Sequence, residues 1–149
     1  MTINDLVRRL AEHLTTVVAE LRLETCDGTA QRPPVLVAGW LPPKRSTDQN
    51  DFPFLVVRPA TGTDAEDGAR VVVKLLFGTF SESVEGWQDL GNVIQRVMTS
   101  FDLTRTLGPF CLEKPLTWTI YDEQPLPQWA AEMTTTWTQP SAPWTGETE

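Results

Sequence analysis

The stretch that decides the fold runs from Phe52 to Phe101 and reads FPFLVVRPATGTDAEDGARVVVKLLFGTFSESVEGWQDLGNVIQRVMTSF. Its first part, 52–58, is apolar at almost every position, which is typical of a strand covered on both faces. The next strand, 70–77, alternates in character, and successive residues of a strand point to opposite sides of the sheet. We expect the two strands to pair as neighbours through a long acidic loop at 59–69. The apolar face of the second strand consists of Val71, Val73, Leu75 and Phe77.

Two amphipathic helices are predicted, one before this stretch and one inside it. The first covers 2–24 and opens with a capping box formed by Thr2 and Asp5. The second takes Ser83 as its N-cap, and Gly91 lies on its apolar stripe, where a missing side chain would allow close approach to the sheet. The apolar stripes are Ile3, Leu6, Val7, Leu10, Leu14, Val17, Val18 and Leu21 in the first helix and Trp87, Leu90, Ile94, Val97, Met98 and Phe101 in the second.

Shorter strands are predicted around these elements. The residue patterns place them at 35–40, 110–113, 116–121 and 129–137. The expected fold class is therefore α+β: a single domain over 1–138, with a mainly antiparallel mixed sheet and both helices packed on one face. Residues 139–149 are expected to form a flexible C-terminal tail.

Length and charge limit the classes of function. A chain of 149 residues with a net charge of −8 lacks the cationic surface that sequence-independent binding to DNA or to anionic lipid requires. No stretch is apolar enough to cross a membrane, and the N-terminus does not have the pattern of a signal peptide, so we expect a protein made in the cytoplasm. Cys26 and Cys111 have no metal-ligand spacing, and two reduced thiols are favoured over a disulfide.

The sequence offers no evident catalytic or metal-binding set. The single histidine, His13, falls beside the stripe of the first helix, and no partner for acid–base chemistry is evident near it in the sequence. The acidic cluster of Asp64, Glu66 and Asp67 does not have the register of a calcium loop, and a solvated hairpin tip explains it more simply. No enzyme activity, cofactor or metal is therefore expected, although a hydrolase with a triad assembled in space stays as a third alternative.

Candidate interface residues lie in loops and next to them. The polar loop 41–51 is too hydrophilic for the core and is a candidate interface segment. Among the six tryptophans, Trp87, Trp118 and Trp137 have spacings typical of the core, whereas burial and interface contact are both open for Trp40 and Trp129. The candidate interface residues are Trp40, Lys44, Arg45, Arg58, Asp64, Glu66, Asp67 and Trp129.

Three short motifs carry a resemblance to a known family. They are Phe-Pro-Phe-Leu-Val-Val-Arg-Pro at 52–59, Leu-Leu-Phe-Gly-Thr-Phe at 75–80 and Gly-Trp-Gln-Asp-Leu at 86–90, in the order helix, strand, hairpin, helix and further strands. In this order and in these motifs the chain resembles the tail terminator, or tail completion, proteins of long-tailed bacteriophages and prophages. The resemblance covers roughly 1–137 and depends mainly on 50–101, while the loop 41–51 has no counterpart in it.

The resemblance implies a structural protein of the virion, assembled in the host cytoplasm and located where head and tail join. Such a protein forms a ring, typically a hexamer, that caps the tail tube, ends tube polymerisation and contacts the head-completion or connector protein. DNA would pass through the lumen without specific binding, and the negative net charge is compatible with that passage. The alternative is a small monomeric cytosolic adaptor or chaperone-like binding module.

Overall fold

Helices and strands form one α+β domain in the computed structural model, which describes residues 2–26, 31–41 and 52–140. Within these ranges two helices pack on one face of a curled six-stranded sheet, as the sequence predicted, and a separate two-stranded pair lies beside it. The helices are α1 (Ile3–Val17) and α2 (Trp87–Leu103). The strands are β1 (Leu23–Glu24), β2 (Gln31–Arg32), β3 (Val35–Ala38), β4 (Phe54–Ala65), β5 (Gly68–Phe80), β6 (Thr106–Leu107), β7 (Phe110–Ile120) and β8 (Gln128–Pro140).

The large sheet has the strand order β3-β4-β5-β8-β7-β6. Only β3 and β4 run parallel, and the other neighbours are antiparallel. Packed against the sheet, α1 contacts β3 and β4, α2 contacts β5 and β8, and the two helices contact each other. The core therefore lies between the helices and one face of the sheet.

Helix α1 begins as predicted and ends earlier than predicted. The side chain of Thr2 accepts a hydrogen bond from the backbone N–H of Asp5, and the Asp5 carboxylate accepts one from the N–H of Thr2, which completes the capping box. The helix stops at Val17 rather than reaching residue 24. At this end the guanidinium of Arg22 donates to the carbonyls of Ala19 and Leu21, which satisfies acceptors in the turn that follows the helix.

The β4–β5 hairpin confirms the predicted pairing, but the predicted 59–69 loop is wrong. The ladder continues through Thr61↔Val72 to Ala65↔Gly68, so only Glu66 and Asp67 are left in the turn. A register shift between Pro59 and Thr61 leaves Ala60 as an extra residue, because Pro59 pairs with Val73 and Thr61 with Val72. Pairing with β8 supports the extension of β5, because Gly68 lies opposite Pro140 of β8 as well as Ala65 of β4 and therefore has a strand neighbour on each side.

The start of α2 and the site of close packing also differ from prediction. Gly86 is the N-cap, whereas the hydroxyl of Ser83 accepts a hydrogen bond from the N–H of Glu85 in the turn before the helix. A Cβ added at Gly91 would meet no atom within 4 Å, so this glycine does not mediate close approach. The close contact is at Gly86, where an added Cβ would collide with the indole of Trp129.

Strands β7 and β8 are longer than the sequence predicted, whereas β3 is shorter and ends at Ala38 instead of residue 40. The segments 110–113 and 116–121 belong to one strand, β7, with an irregularity between Glu113 and Thr117. Strand β8 extends to Pro140, so the expected tail loses its first two residues to the sheet. Residues 141–149 lie outside the described part of the chain.

Candidate interaction surfaces

One acidic surface is the hairpin tip, defined as residues 60–67, which are all exposed. It carries the predicted interface residues Asp64, Glu66 and Asp67. Behind the tip, Arg70 forms an ion pair with Glu113 across the sheet, with 3.2 Å between Nε and Oε2. A depression of about 610 Å³ separates the base of the tip from the start of α1, with Thr2 and Ile3 among its lining residues. The tip therefore presents three carboxylates to solvent on a paired, two-stranded support.

A second surface, the Trp40 patch, consists of Trp40, Arg58 and Arg8. The Trp40 side chain is 63% exposed, and the Arg58 guanidinium carbon lies 4.6 Å from the centroid of its ring. The Nε of Arg58 also donates to the carbonyl oxygen of Gly39 at 3.1 Å, which fixes the guanidinium beside the indole. A depression of about 280 Å³, lined by Arg8 and Trp40 among others, lies between this pair and α1. The structure thus brings together two residues, Trp40 and Arg58, that the sequence named separately.

The Trp40 patch is cationic and aromatic, a composition that is common at the centres of protein interfaces. Arg8 also forms an ion pair with Asp5 at 2.6 Å, so part of its charge is balanced within α1. At Arg58 no carboxylate ion pair is recorded within the described residues; its contacts are the Gly39 carbonyl and the ring of Trp40. This arrangement holds one positive charge on the surface next to a flat apolar ring.

The other predicted interface residues have different outcomes. Trp129 is only 8% exposed, and its indole N–H donates to the carbonyl oxygen of Ser81 at 3.0 Å. The sequence left burial and interface contact open for Trp129, and the structure shows that it is buried. Lys44 and Arg45 belong to the predicted loop 41–51, of which all but Leu41 lies outside the described residues, so their interface role stays a prediction.

His13 has a partner that the sequence did not reveal. Its Nε2 lies 3.3 Å from the hydroxyl oxygen of Ser100, and its ring stacks on Phe101 with 6.0 Å between centroids. Burial lowers the pKa of His13 from its ordinary value, because desolvation disfavours the charged imidazolium. The Ser100 hydroxyl donates to the Val97 carbonyl at 2.7 Å, so its proton is already bound within α2 rather than directed at the imidazole. This geometry links the two helices and does not match an activated serine nucleophile.

Carboxylates gather at the start of α2. Burial raises the pKa of Asp89 above its ordinary value, and the nearby Glu24 raises it further. The Ser81 hydroxyl donates to Glu24 at 3.3 Å, which ties β1 to the segment after β5.

Over the described ranges, no three histidine, cysteine or acidic side chains come close enough to hold a metal ion. Cys26 and Cys111 are not joined by a disulfide, and no described helix is long and apolar enough to span a membrane.

Two tryptophans assigned to the core by the sequence are exposed. Trp87 is 50% exposed at the first turn of α2, and Trp118 is 49% exposed on β7, whereas Trp137 is fully buried as predicted. The Trp118 side chain lies on the helix-bearing face opposite Met133. Alternation assigned this face correctly, but the face extends beyond the area that α2 covers.

No model of a known protein family matches this chain, and no curated protein matches it either. The function must therefore be argued from the fold and from the surfaces described above.

Proposed function

We propose that this chain is a phage tail terminator, which forms a closed ring on the end of the tail tube, stops tube polymerisation and joins the tail to the head connector. The three motifs at 52–59, 75–80 and 86–90 support this proposal by their resemblance to that family. The α+β fold, with a central hairpin and two helices on one face, is compatible with a structural subunit of this kind. An enzyme is disfavoured, because the one His–Ser contact does not match a nucleophile and its base.

The observation that carries the proposal is that one small subunit presents two chemically different surfaces at separate places. The hairpin tip is acidic, whereas the Trp40 patch is cationic and aromatic. Glu66 lies eight positions after Arg58 along β4 and its turn, which corresponds to about 25 Å along an extended strand. A subunit that lies between a tube and a connector must bind two different partners, and a head-to-tail ring requires unlike patches on each copy.

The negative charge fits the passage of DNA. With a net charge of −8 and three exposed carboxylates at the hairpin tip, a ring whose tips line the lumen would repel the phosphate backbone. Repulsion would keep DNA from adhering during ejection, because phosphate binding needs cations rather than carboxylates. We therefore place the hairpin tip at the lumen or at the end of the ring that faces a partner.

Charge reversal tests this role of the hairpin tip. The triple change Asp64→Lys, Glu66→Lys and Asp67→Lys should leave the fold intact, because all three side chains are exposed. In complementation of a phage that lacks the gene, it should give overlong tails or unattached heads by electron microscopy, or a large loss of infectious particles. A matched control reverses three other exposed carboxylates, Glu12, Glu20 and Glu82, and should complement normally.

Two outcomes would count against the proposal at different levels. Normal particles from the triple reversal would remove the hairpin tip from any role in capping or DNA passage. Normal particles from a complete deletion of the gene would contradict the terminator function itself.

One observation favours the adaptor alternative. The exposed Trp40 ring beside Arg58 is the kind of aromatic and arginine pair that anchors a protein partner without any need for a ring. An adaptor of this kind would be a monomer of 16.7 kDa, whereas a ring has several times that mass. The molar mass in solution separates the two functions.

A further inference from the structure

Most of the outer edge of β7 has no strand partner within the described residues. Strand β6 pairs only with Phe110 and Cys111 at the start of β7, and the last backbone bond on that side joins the N–H of Leu112 to the carbonyl of Arg105. From Leu116 to Tyr121 the sequence LTWTIY has no charge, proline or glycine. Trp118 and Tyr121 are 49% and 38% exposed. This segment combines high strand propensity with exposed aromatic side chains on a sheet edge.

Edge strands of soluble proteins usually carry devices that prevent pairing, such as lysine, proline or a bulge. Strand β7 has all three in its first half: Lys114, Pro115 and the register irregularity between Glu113 and Thr117. The devices end at Pro115, and the segment Leu116–Tyr121 that follows has none of them. A protected half followed by an unprotected half indicates that the second half accepts a partner strand.

The opposite edge of the same sheet has a matching character. Strand β3 reads VLVA, has no charge, and leaves Val35 45% exposed. Within the described residues β3 has a strand neighbour, β4, on one side only. The edge of β3 and the second half of β7 are thus both short, uncharged segments that contain β-branched or aromatic residues.

The backbone groups of both edges point outward at matching positions. The N–H groups of Val35 and Gly39 bond to β4, so the alternate residues Leu36 and Ala38 direct their N–H and C=O groups away from the sheet. On β7 the outward bond of Leu112 sets the alternation. Its neighbours Cys111 and Glu113 therefore bond to Thr138 and Thr136 of β8.

That alternation continues along the unbroken strand β8 past the irregularity. Thr134 and Glu132 therefore also bond to β7, through Thr117 and Thr119. Trp118 and Ile120 alternate with Thr117 and Thr119, so their backbone groups point outward, away from β8. The unprotected half of β7 and the edge of β3 thus each offer two outward-facing residues, which are separated by one inward-facing residue.

The two edges also lie at the same level of the sheet. Register places Ala38 in one row with Val57, Leu75, Met133 and Trp118, and Leu36 in one row with Leu55, Phe77, Ala131 and Ile120. The strands run in opposite directions, because β3 is parallel to β4 and three antiparallel steps separate β4 from β7. A second copy placed beside the first by rotation about an axis along the strands would therefore bring β3 antiparallel to β7 without sliding.

We propose that the unprotected half of β7 pairs antiparallel with β3 of a second copy of this chain, so that one sheet continues from copy to copy. Trp118 then lies opposite Ala38 and Ile120 lies opposite Leu36, and each pair exchanges two backbone hydrogen bonds. On the helix-bearing face the half-exposed Trp118 ring covers the neighbouring Ala38. The contact joins unlike edges with no shift along the strands, so it closes into a ring rather than growing as a helical filament. The inference rests on the proposed ring and names the strands that close it.

Proline variants test each edge separately. Ala38→Pro and Trp118→Pro each remove one N–H that points away from the sheet toward a side where no described strand pairs with it, so folding should survive while pairing is lost. Alone, each variant should have the mass of a monomer by light scattering, whereas the unmodified chain is a ring. The matched controls Ala38→Thr and Trp118→Tyr keep the N–H and should still form rings. Ala38→Lys and Trp118→Lys repeat the test by charge if a proline variant fails to fold.

Mixing the two proline variants distinguishes the proposed contact from a symmetric one. Ala38→Pro keeps a free β7 edge and Trp118→Pro keeps a free β3 edge, so the mixture should form a dimer with one copy of each. A dimer of Ala38→Pro alone would mean that β7 pairs with β7, and would overturn the proposal. Rings that survive both sets of edge variants, or an unmodified chain that is monomeric, would overturn it as well.

The proposed contact and the terminator function can fail independently, and the experiments distinguish the two failures. If rings survive the edge variants and the gene still complements a deleted phage, the terminator function stands and only the contact is wrong. If rings depend on both edges but deletion of the gene leaves normal tails, the contact is right and the terminator function is wrong.

Discussion

Leu75 illustrates how much a single position of a strand determines. The alternation of β5 predicted that this side chain shares an apolar face with Val71, Val73 and Phe77, and the structure confirms the face, with Leu75 fully buried. The prediction succeeds because a strand has a fixed period of two, so one correct residue sets all the others. Leu76, on the other face, is only partly buried.

Truncation of Leu75 should therefore be costly. Leu75→Ala is expected to lower the free energy of unfolding by about 2–5 kcal/mol, through lost burial and a cavity that its neighbours cannot fill. Leu76→Ala, the same change on the other face, should cost less in the same chemical denaturation experiment. A loss below about 0.5 kcal/mol for Leu75→Ala would be inconsistent with the core assignment.

Tryptophan positions show where residue-level prediction fails. Trp118 and Trp137 have equivalent core spacings in the sequence, yet Trp118 is 49% exposed and Trp137 is fully buried. Periodicity identifies the face of a strand but not which part of that face a helix covers. The position of α2 over β5 and β8 is a non-local property, and it decides the difference.

At the scale of elements, strand pairing was predictable and element ends were not. The β4–β5 hairpin was expected because two apolar runs flank a turn-forming segment. Its ends were misplaced because Gly62, Asp64 and Ala65 have weak strand propensity, and pairing with β5 overrides that preference. The cap of α1 was predictable because a capping box is local, whereas the C-terminal end of that helix has no such signal.

Two glycines give opposite predictions at this scale. Gly68 has a φ of +143°, and an added Cβ would lie 2.6 Å from the carbonyl oxygen of Gln139, so Gly68→Ala should destabilise the hairpin by about 1–3 kcal/mol. Gly91 lies inside α2 with open space around it, so Gly91→Ala should stabilise the protein by about 0.5–1 kcal/mol. Thermal unfolding of the two variants checks both signs. Equal effects from the two substitutions would contradict this account of their environments.

For the whole molecule, the fold class was predictable from the order of helices and strands, and the surfaces were only partly so. The exposed carboxylates of the hairpin tip follow from composition and turn chemistry. The contact between Trp40 and Arg58 could not be predicted in this way, because it joins the segment just after β3 to the middle of β4. The matching edges of β3 and β7 depend on the register of the whole sheet, which no local pattern specifies.

The ring is the central claim, and the molar mass of the purified full chain tests it most directly. Size-exclusion chromatography with light scattering should give a single species of several times 16.7 kDa, and a hexamer would be about six times that mass. The mass should stay constant on dilution through the micromolar range, because a closed ring has no free edge at which to lose or add subunits. A species of 16.7 kDa at every concentration would contradict the ring and favour the monomeric adaptor.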